Sequence, residues 1–314
     1  MTIAVLGAGA IGIAIGAPWG ATLIGRDPVL APIARDGLRL TGLGPDRDLA
    51  PDSFRVAGPD ALAAADLIAV AAKFTALSSI VDAVTAHARP NTPILSLMNG
   101  LAPVRDLSAA LPNPILRGMV PFNVVWRDAT HLHRSSAGSV AVEVHPATEG
   151  LRDVDRRTDM EALQYGKLLL NLINPINALS GRPLHAMLSD RAWRRIYAAT
   201  LAEALRVYDA AGIVFTKAGP VPPRLAPRLL RLPDAIFVRT LLRLQRLDAT
   251  SVTSLATDLA QGRPTEIEAL NGEIVRLAGG HAPINEGLVR LVRDAERGGR
   301  LHWSAPELVR ELSL

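Results

Sequence analysis

The sequence of 314 residues contains no cysteine, which excludes a disulfide framework, a thiolate metal site and a cysteine nucleophile. Aromatic residues make up only 4%. That is too few for base-stacking platforms, and the arginines are dispersed rather than clustered, so no nucleic-acid partner is expected. No apolar run reaches the ~18 residues of a membrane span. Residues 2–6 open directly as a strand-like run, without the basic region and cleavage site of a secretory signal. A cytoplasmic protein with no membrane partner is therefore expected. Lysine is scarce as well: only Lys73, Lys167 and Lys217 stand among 34 basic residues. Arginine serves wherever a fixed charge suffices, whereas a buried lysine can have its pKa lowered into a useful range. The net charge of +4 suits a small anionic ligand.

Residues 2–6 run into Gly7-Ala8-Gly9-Ala10-Ile11-Gly12, followed by an apolar helix start. Strand, glycine turn and helix in that order form a dinucleotide-binding fingerprint. The first glycine makes the turn, the second admits a pyrophosphate, the third lets helix pack on strand, and the helix end offers free N–H groups. A second strand over 21–24 ends in Gly25-Arg26-Asp27. Arg26 there favours the 2′-phosphate of NADP, while Asp27 leaves NAD open. Asp60 reads as the N-cap of a helix-like segment leading into residues 67–72, an apolar run suited to a parallel strand covered on both faces. A helix over 76–87 and a strand over 93–98 follow. Lys73 and Asn99 thus sit just past the carboxyl ends of two strands, where open α/β sheets bind ligands. Residues 115–120 read as another strand, and 131–134 with 139–144 as a hairpin closing the domain. His131 and His133 have no partners at metal-ligand spacing, so solvent-facing histidines and no metal are expected.

Strand signals stop over 150–158 and the chain turns charged, which places a boundary between a Rossmann-type domain, 1–157, and an all-helical domain, 158–314. Within a predicted helix over 160–179, Lys167, Asn171 and Asn174 fall at about 0°, 40° and −20° around the axis, so one face presents an amine and two amides among leucines. Lys167 is a candidate acid; the alternative is a lysine snorkelling to water. Pro175 cannot donate to the carbonyl of Asn171 and should kink the helix. A helix over 190–211 follows. Beyond Pro220, leucines alternate with Arg224, Arg228, Arg231, Arg239, Arg243 and Arg246, read as helices packing one apolar face inward rather than as a membrane surface. Pro264 and Thr265 should start a helix with Glu266 in its first turn.

The GAGAIG loop, a strand ending in AAK, an MNG turn, a KLLLNLINP helix and RPTEIEALNG occur in that order. This set resembles the ketopantoate reductase family, the NADPH-dependent 2-dehydropantoate 2-reductases, over nearly the whole chain. The resemblance implies that Gly7 to Gly12 hold the pyrophosphate and Arg26 the 2′-phosphate. It also implies that Lys73 and Asn99 line the nicotinamide side and that Val124 touches the cofactor through its backbone. Lys167 would be the proton donor. Asn99, Asn171, Asn174 and Ser254 would bind a small 2-oxo acid, and Glu266 would be a catalytic carboxylate contacting cofactor or substrate. A closed cleft between the domains is expected to bring Lys73, Asn99, Lys167 and Glu266 together. The family includes monomers and homodimers. Two departures bear on substrate identity: Pro18 interrupts a first helix that must be short or irregular, and Leu184 stands where some members have an asparagine.

Overall fold

A computed structural model describes residues 1–42, 46–243 and 250–314, so Arg246 of the arginine-rich segment lies outside the described residues. The chain divides into two units, Met1–Met160 and Glu161–Leu314. Among the described residues, no helix is long and apolar enough to cross a membrane.

The strands of the first unit are β1 (Ile3–Leu6), β2 (Thr22–Ile24), β3 (Leu38–Gly42), β4 (Arg47–Leu49), β5 (Arg55–Val56) and β6 (Leu67–Val70). They continue with β7 (Ile94–Ser96), β8 (Ile115–Met119), β9 (Val124–Trp126), β10 (His131–Arg134), β11 (Val140–Glu143) and β12 (Val154–Arg157). The larger sheet has the order β12-β11-β8-β7-β6-β1-β2-β5 and the smaller one β4-β3-β10-β9. From β5 to β8 every neighbouring pair in the larger sheet is parallel. β1 and β6 are buried along their full length, as continuous apolar runs in a sheet covered on both faces should be. Alternate residues serve different cores. Val5, Ala69 and Leu95 join Ile13 of α1 (Ala10–Gly16) and Ile33 of α2 (Asp27–Asp36). Ala4, Ile68, Val70 and Ile94 instead join Ile80 and Val84 of α3 (Leu77–His87) and Leu107 of α4 (Ala102–Ala110). As expected, α1 is short: it ends at Gly16, and Pro18 lies in the turn beyond it.

Four expectations for this unit are corrected. The helix-like segment before β6 is a 3-10 helix, Pro59–Ala64, and its cap is Gly58 rather than Asp60; only Leu62 of it is buried, too little apolar surface to hold an amphipathic α-helix. The strands β10 and β11 do not form a hairpin. β10 pairs with β3 and β9 in the smaller sheet, β11 with β8 and β12 in the larger. Between them Gly138 at φ +125° turns the chain, and the Arg134 guanidinium donates to the carbonyls of Ser136 and Gly138. β12 lies within the stretch where the sequence shows no strand signal. It is an edge strand with charged, largely exposed side chains, which suits an edge but hides a strand from a hydrophobicity pattern. Finally, His131 and His133 are half-buried rather than solvent-facing, and both bond Thr41 Oγ1, at 2.7 and 3.0 Å.

The second unit is helical: α5 (Met160–Asn171), α6 (Asn174–Ser180), α7 (Leu184–Ser189), α8 (Arg191–Ala210), α9 (Ala226–Leu229) and α10 (Asp234–Phe237) lead to α11 (Ser254–Ala260), α12 (Asn271–Leu277), α13 (Pro283–Glu296) and α14 (Ala305–Glu311). The long α8 is capped by Asp190, whose carboxylate accepts from the Ala192 N–H at 2.9 Å. The predicted helix over 160–179 is broken between Asn171 and Asn174, with Pro175 in the first turn of α6. A fully buried arginine of α8, Arg194, secures the arginine-rich segment: it donates to the carbonyls of Leu188, Leu230 and Leu232 and to Asp234, and stacks over Phe237. Leu230, Phe237 and Leu242 are buried while Arg224, Arg228, Arg231, Arg239 and Arg243 are exposed, the inward packing that the alternation predicts.

Candidate active site

At the end of β1 the chain turns through Gly7, Ala8 and Gly9 into α1, whose first turn holds Ala10, Ile11 and Gly12. Gly7 has φ +87°, and a Cβ there would lie 2.6 Å from that of Ala72. A Cβ on Gly12 would meet the Gly7 carbonyl oxygen at 2.8 Å, so the helix packs on the turn only with glycine there. Gly9 differs: its Cβ would meet nothing within 4 Å. Two glycines answer to the protein's own packing, whereas Gly9 faces open space through which a ligand can reach the backbone. The N–H groups of Gly7 and Ala8 both bond the Ile24 carbonyl at 3.0 Å, tying the loop to the end of β2. The first helical bond runs from the Ile13 N–H to the Gly9 carbonyl, so the N–H groups before it point out of the helix end.

Parallel pairing aligns Leu6, Val70 and Ser96 across β1, β6 and β7. The glycine loop, Lys73 and Asn99 therefore follow adjacent strands along one carboxyl edge of the sheet. β1 lies between β2 and β6, so the chain leaves it in two directions, the switch point at which such sheets bind ligands. Lys73 is exposed, and Asn99 is half-buried beside Gly100 at φ +89°. Arg26, exposed, bridges the end of β2 and the start of α2, which Asp27 opens. Val124 starts β9 and packs on the same core as Ile11 and Ala14 of α1.

In the second unit, α5 is apolar around Lys167, and Leu168 and Leu169 are buried. Gly166 lets the backbone of the following segment press on the helix: a side chain there would overlap the Thr216 carbonyl, and the Thr216 N–H bonds the Ala162 carbonyl at 3.0 Å. Lys167 keeps some residue surface accessible, yet burial of its ammonium group lowers its pKa to about 8, against the opposing pull of the Glu266 carboxylate. Lys167 and Glu266 therefore lie within each other's field. Asn171 and Asn174 are half-buried on either side of the helix break. Ser254 opens α11, whose cap Thr253 donates from its hydroxyl to the Asn174 carbonyl at 3.4 Å. Asn174 and Ser254 are thus drawn together.

Glu266 is buried, but not in a helical first turn as expected. It precedes a single 3-10 turn, Ile267–Ala269, and α12 begins only at Asn271. The Thr265 N–H bonds a Glu296 carboxylate oxygen at 2.7 Å, which anchors this stretch to the end of α13 instead of starting a helix. A turn this short has no dipole with which to favour the carboxylate.

Two sets of supporting residues were missed in the sequence. Asn177, one turn beyond Asn174 and 1% exposed, accepts from the Thr253 N–H at 2.9 Å and donates to the Arg182 carbonyl at 2.8 Å. It fixes α11 to α6. Glu203 on α8 accepts from the N–H groups of Ile284 and Asn285, at 3.0 and 2.8 Å, and from the Asn285 amide at 2.7 Å. The Asn285 oxygen in turn accepts from the amide of Asn271, at 2.9 Å, directly after the Glu266–Leu270 stretch. The available signal was a polar residue on an apolar helical stripe, which must find a partner when buried.

The family model for the N-terminal part of ketopantoate reductase matches residues 3–147 and that for its C-terminal part residues 159–296. A 2-dehydropantoate 2-reductase of Mesorhizobium japonicum is 25% identical over 95% of this chain and 99% of its own. Among solved structures, a ketopantoate reductase from Ralstonia eutropha superposes with a TM-score of 0.78 at 24% identity, covering 95% of this chain and 99% of that one. A D-mandelate dehydrogenase bound to NADH and anilino(oxo)acetate reaches 0.74 at 18% identity, with 95% and 99% covered. The two models span both units, and the chain belongs to the ketopantoate reductase family of oxidoreductases.

Proposed function

We propose that this protein reduces 2-dehydropantoate to pantoate with NADPH, residues 1–157 holding the cofactor and 158–314 the substrate. The observation that carries the reading is Lys167: a desolvated ammonium on an apolar helix, its pKa near 8, with the Glu266 carboxylate in its field. A group whose pKa lies near neutral pH is mostly protonated there and still gives its proton readily. The glycine loop fits a pyrophosphate, since Gly9 leaves its backbone approachable and the N–H groups at the start of α1 point outward. Arg26, exposed at the end of β2, would hold the 2′-phosphate; Lys73 and Asn99 would flank the nicotinamide, and Val124 would contact the cofactor through its backbone. When bound, the reduced nicotinamide supplies a hydride for the ketone carbon. Lys167 then neutralises the charge gathering on the ketone oxygen and passes it a proton from Nζ. The amides of Asn99, Asn171 and Asn174 and the hydroxyl of Ser254 bind the substrate's carboxylate and hydroxyl without competing for that proton. Glu266 holds the ammonium in place and contacts cofactor or substrate.

A second reading keeps the chemistry and changes the acid. Leu184 opens α7 where some family members have an asparagine, and a structural neighbour of equal coverage acts on D-mandelate. NADPH oxidation, followed by absorbance, is measured with 2-dehydropantoate against a panel of 2-oxo acids. The first reading requires 2-dehydropantoate to give the highest kcat/KM. A bulkier or aromatic 2-oxo acid giving the highest value supports the second, and no turnover with any member defeats both.

A further inference from the structure

The first unit contains a cavity of about 310 Å³; of the residues given roles above, only Val124, whose proposed role is a backbone contact, lines it. It lies between the C-terminal end of α1 and the smaller sheet, the far end of that helix from the glycine loop. Its volume is at the small end of the ~300–1,000 Å³ typical of small-molecule clefts. Ile15, Trp19, Leu132 and Val140 give it apolar walls. Its charged lining is uneven: Arg47, Arg134 and Arg152 face a single carboxylate, Asp153. Arg47 is the residue that Asp153 pairs with, at 2.8 Å. Arg134 donates only to carbonyls and lies 3.9 Å over the Phe122 ring; neither it nor Arg152 has a carboxylate partner among the described residues. Burial weighs on the charge of Arg134 and lowers its pKa, the mark of a guanidinium whose desolvation no counter-ion offsets. Folding alone gains little from two unpaired cations beside an apolar hollow. A ligand with a matching anion gains from both.

We infer that this cavity is a binding site for a compact organic anion, an apolar body of about one or two rings bearing one carboxylate or phosphate, distinct from the dinucleotide and 2-oxo acid sites. Its anionic group would lie between Arg134 and Arg152 and its body against Leu132 and Val140. Because α1 carries the cavity at one end and the glycine loop at the other, occupancy would stiffen the helix that both share.

The test is calorimetric titration of the intact protein with 1-naphthoate and with neutral 1-naphthamide, which has nearly the same shape. The site predicts saturable binding of the acid and at least tenfold weaker binding of the amide. Arg152→Gln, an exposed change that leaves the fold alone, should weaken the acid at least fivefold, and Arg134→Gln more. Ala14→Leu, which fills the hollow from α1 with a good helix former, should abolish binding. Arg26→Ala and Lys73→Ala, outside the cavity, should leave it unchanged. Equal binding of acid and amide, no binding of either, or loss of binding in the Arg26 or Lys73 variants with retention in Arg152→Gln would overturn the assignment.

Discussion

Lys73 and Lys167 are the same residue type in opposite settings. Lys73 is exposed just past the end of a buried parallel strand, with its position set by backbone pairing across β1, β6 and β7. Lys167 projects from an apolar helix whose packing desolvates its ammonium group and lowers its pKa to about 8. The difference extends to the units around them. In the first, candidate groups are placed by strand ends and glycine geometry, and the side chains themselves are largely exposed. In the second they are placed by side-chain hydrogen bonds among buried and half-buried residues: Asn177 to Thr253, and Glu203 through Asn285 to Asn271. An exposed ammonium can attract an anion; a buried one in addition has its charged form penalised by desolvation, and the buried polar groups around it must find partners.

The comparison breaks most sharply at Lys167. Lys167→Ala should lower kcat by about a thousandfold, within the range for losing a general acid, while the NADPH dissociation constant measured by fluorescence stays within about twofold. Turnover by the alanine variant would end the proton-donor role. In the parent protein kcat for reduction should fall as pH rises through about 8, because the acid must carry its proton; in the alanine variant that limb should vanish. Glu203→Ala tests the buried scaffold. Three donors lose their acceptor, and chemical denaturation should show a loss of about 3 kcal/mol, with Glu203→Gln recovering part of it. Gly7→Ala addresses the other unit, where the cost is backbone: φ +87° and overlap with Ala72 predict about 2 kcal/mol lower stability and weaker cofactor binding. An unchanged melting temperature would show that the turn tolerates a side chain. The smallest effect belongs to an exposed charge. Arg26→Ala should raise KM for NADPH by about tenfold and leave that for NADH nearly unaltered; equal changes would remove the 2′-phosphate from the argument.

The first unit was largely readable because its signals are local. An apolar run, a glycine turn and a helix start are contiguous in sequence, and residues at the ends of parallel strands fall on one edge whatever the loops do. What escaped was pairing. The alternation in residues 131–144 does not show that β10 and β11 belong to different sheets; the turn at Gly138 and the distant partners β3 and β8 decide it. β12 escaped because an edge strand pairs by backbone and needs no hydrophobic pattern. In the second unit Lys167 could be singled out by its rarity, and the break at Pro175 by its missing N–H. Glu266 was misplaced because the preference of Pro264 and Thr265 for a helix start yields to the distant Glu296, which takes the Thr265 N–H. Glu203 and Asn285 lie far apart in sequence, and their partnership follows only from the packing of α8 on α13.

Arg194 makes the arginine-rich segment a detachable part. Leu230, Leu232 and Asp234 all take their bonds from one guanidinium, so their attachment to α8 is gained or lost together. Removing that side chain frees three anchor points at once and leaves Phe237 without its stacked cation. The attachment of the segment to α8 is thus concentrated in Arg194, supplemented by the Arg191 guanidinium on the Arg231 carbonyl at 2.9 Å, and amide exchange over 226–242 should quicken when Arg194 is replaced.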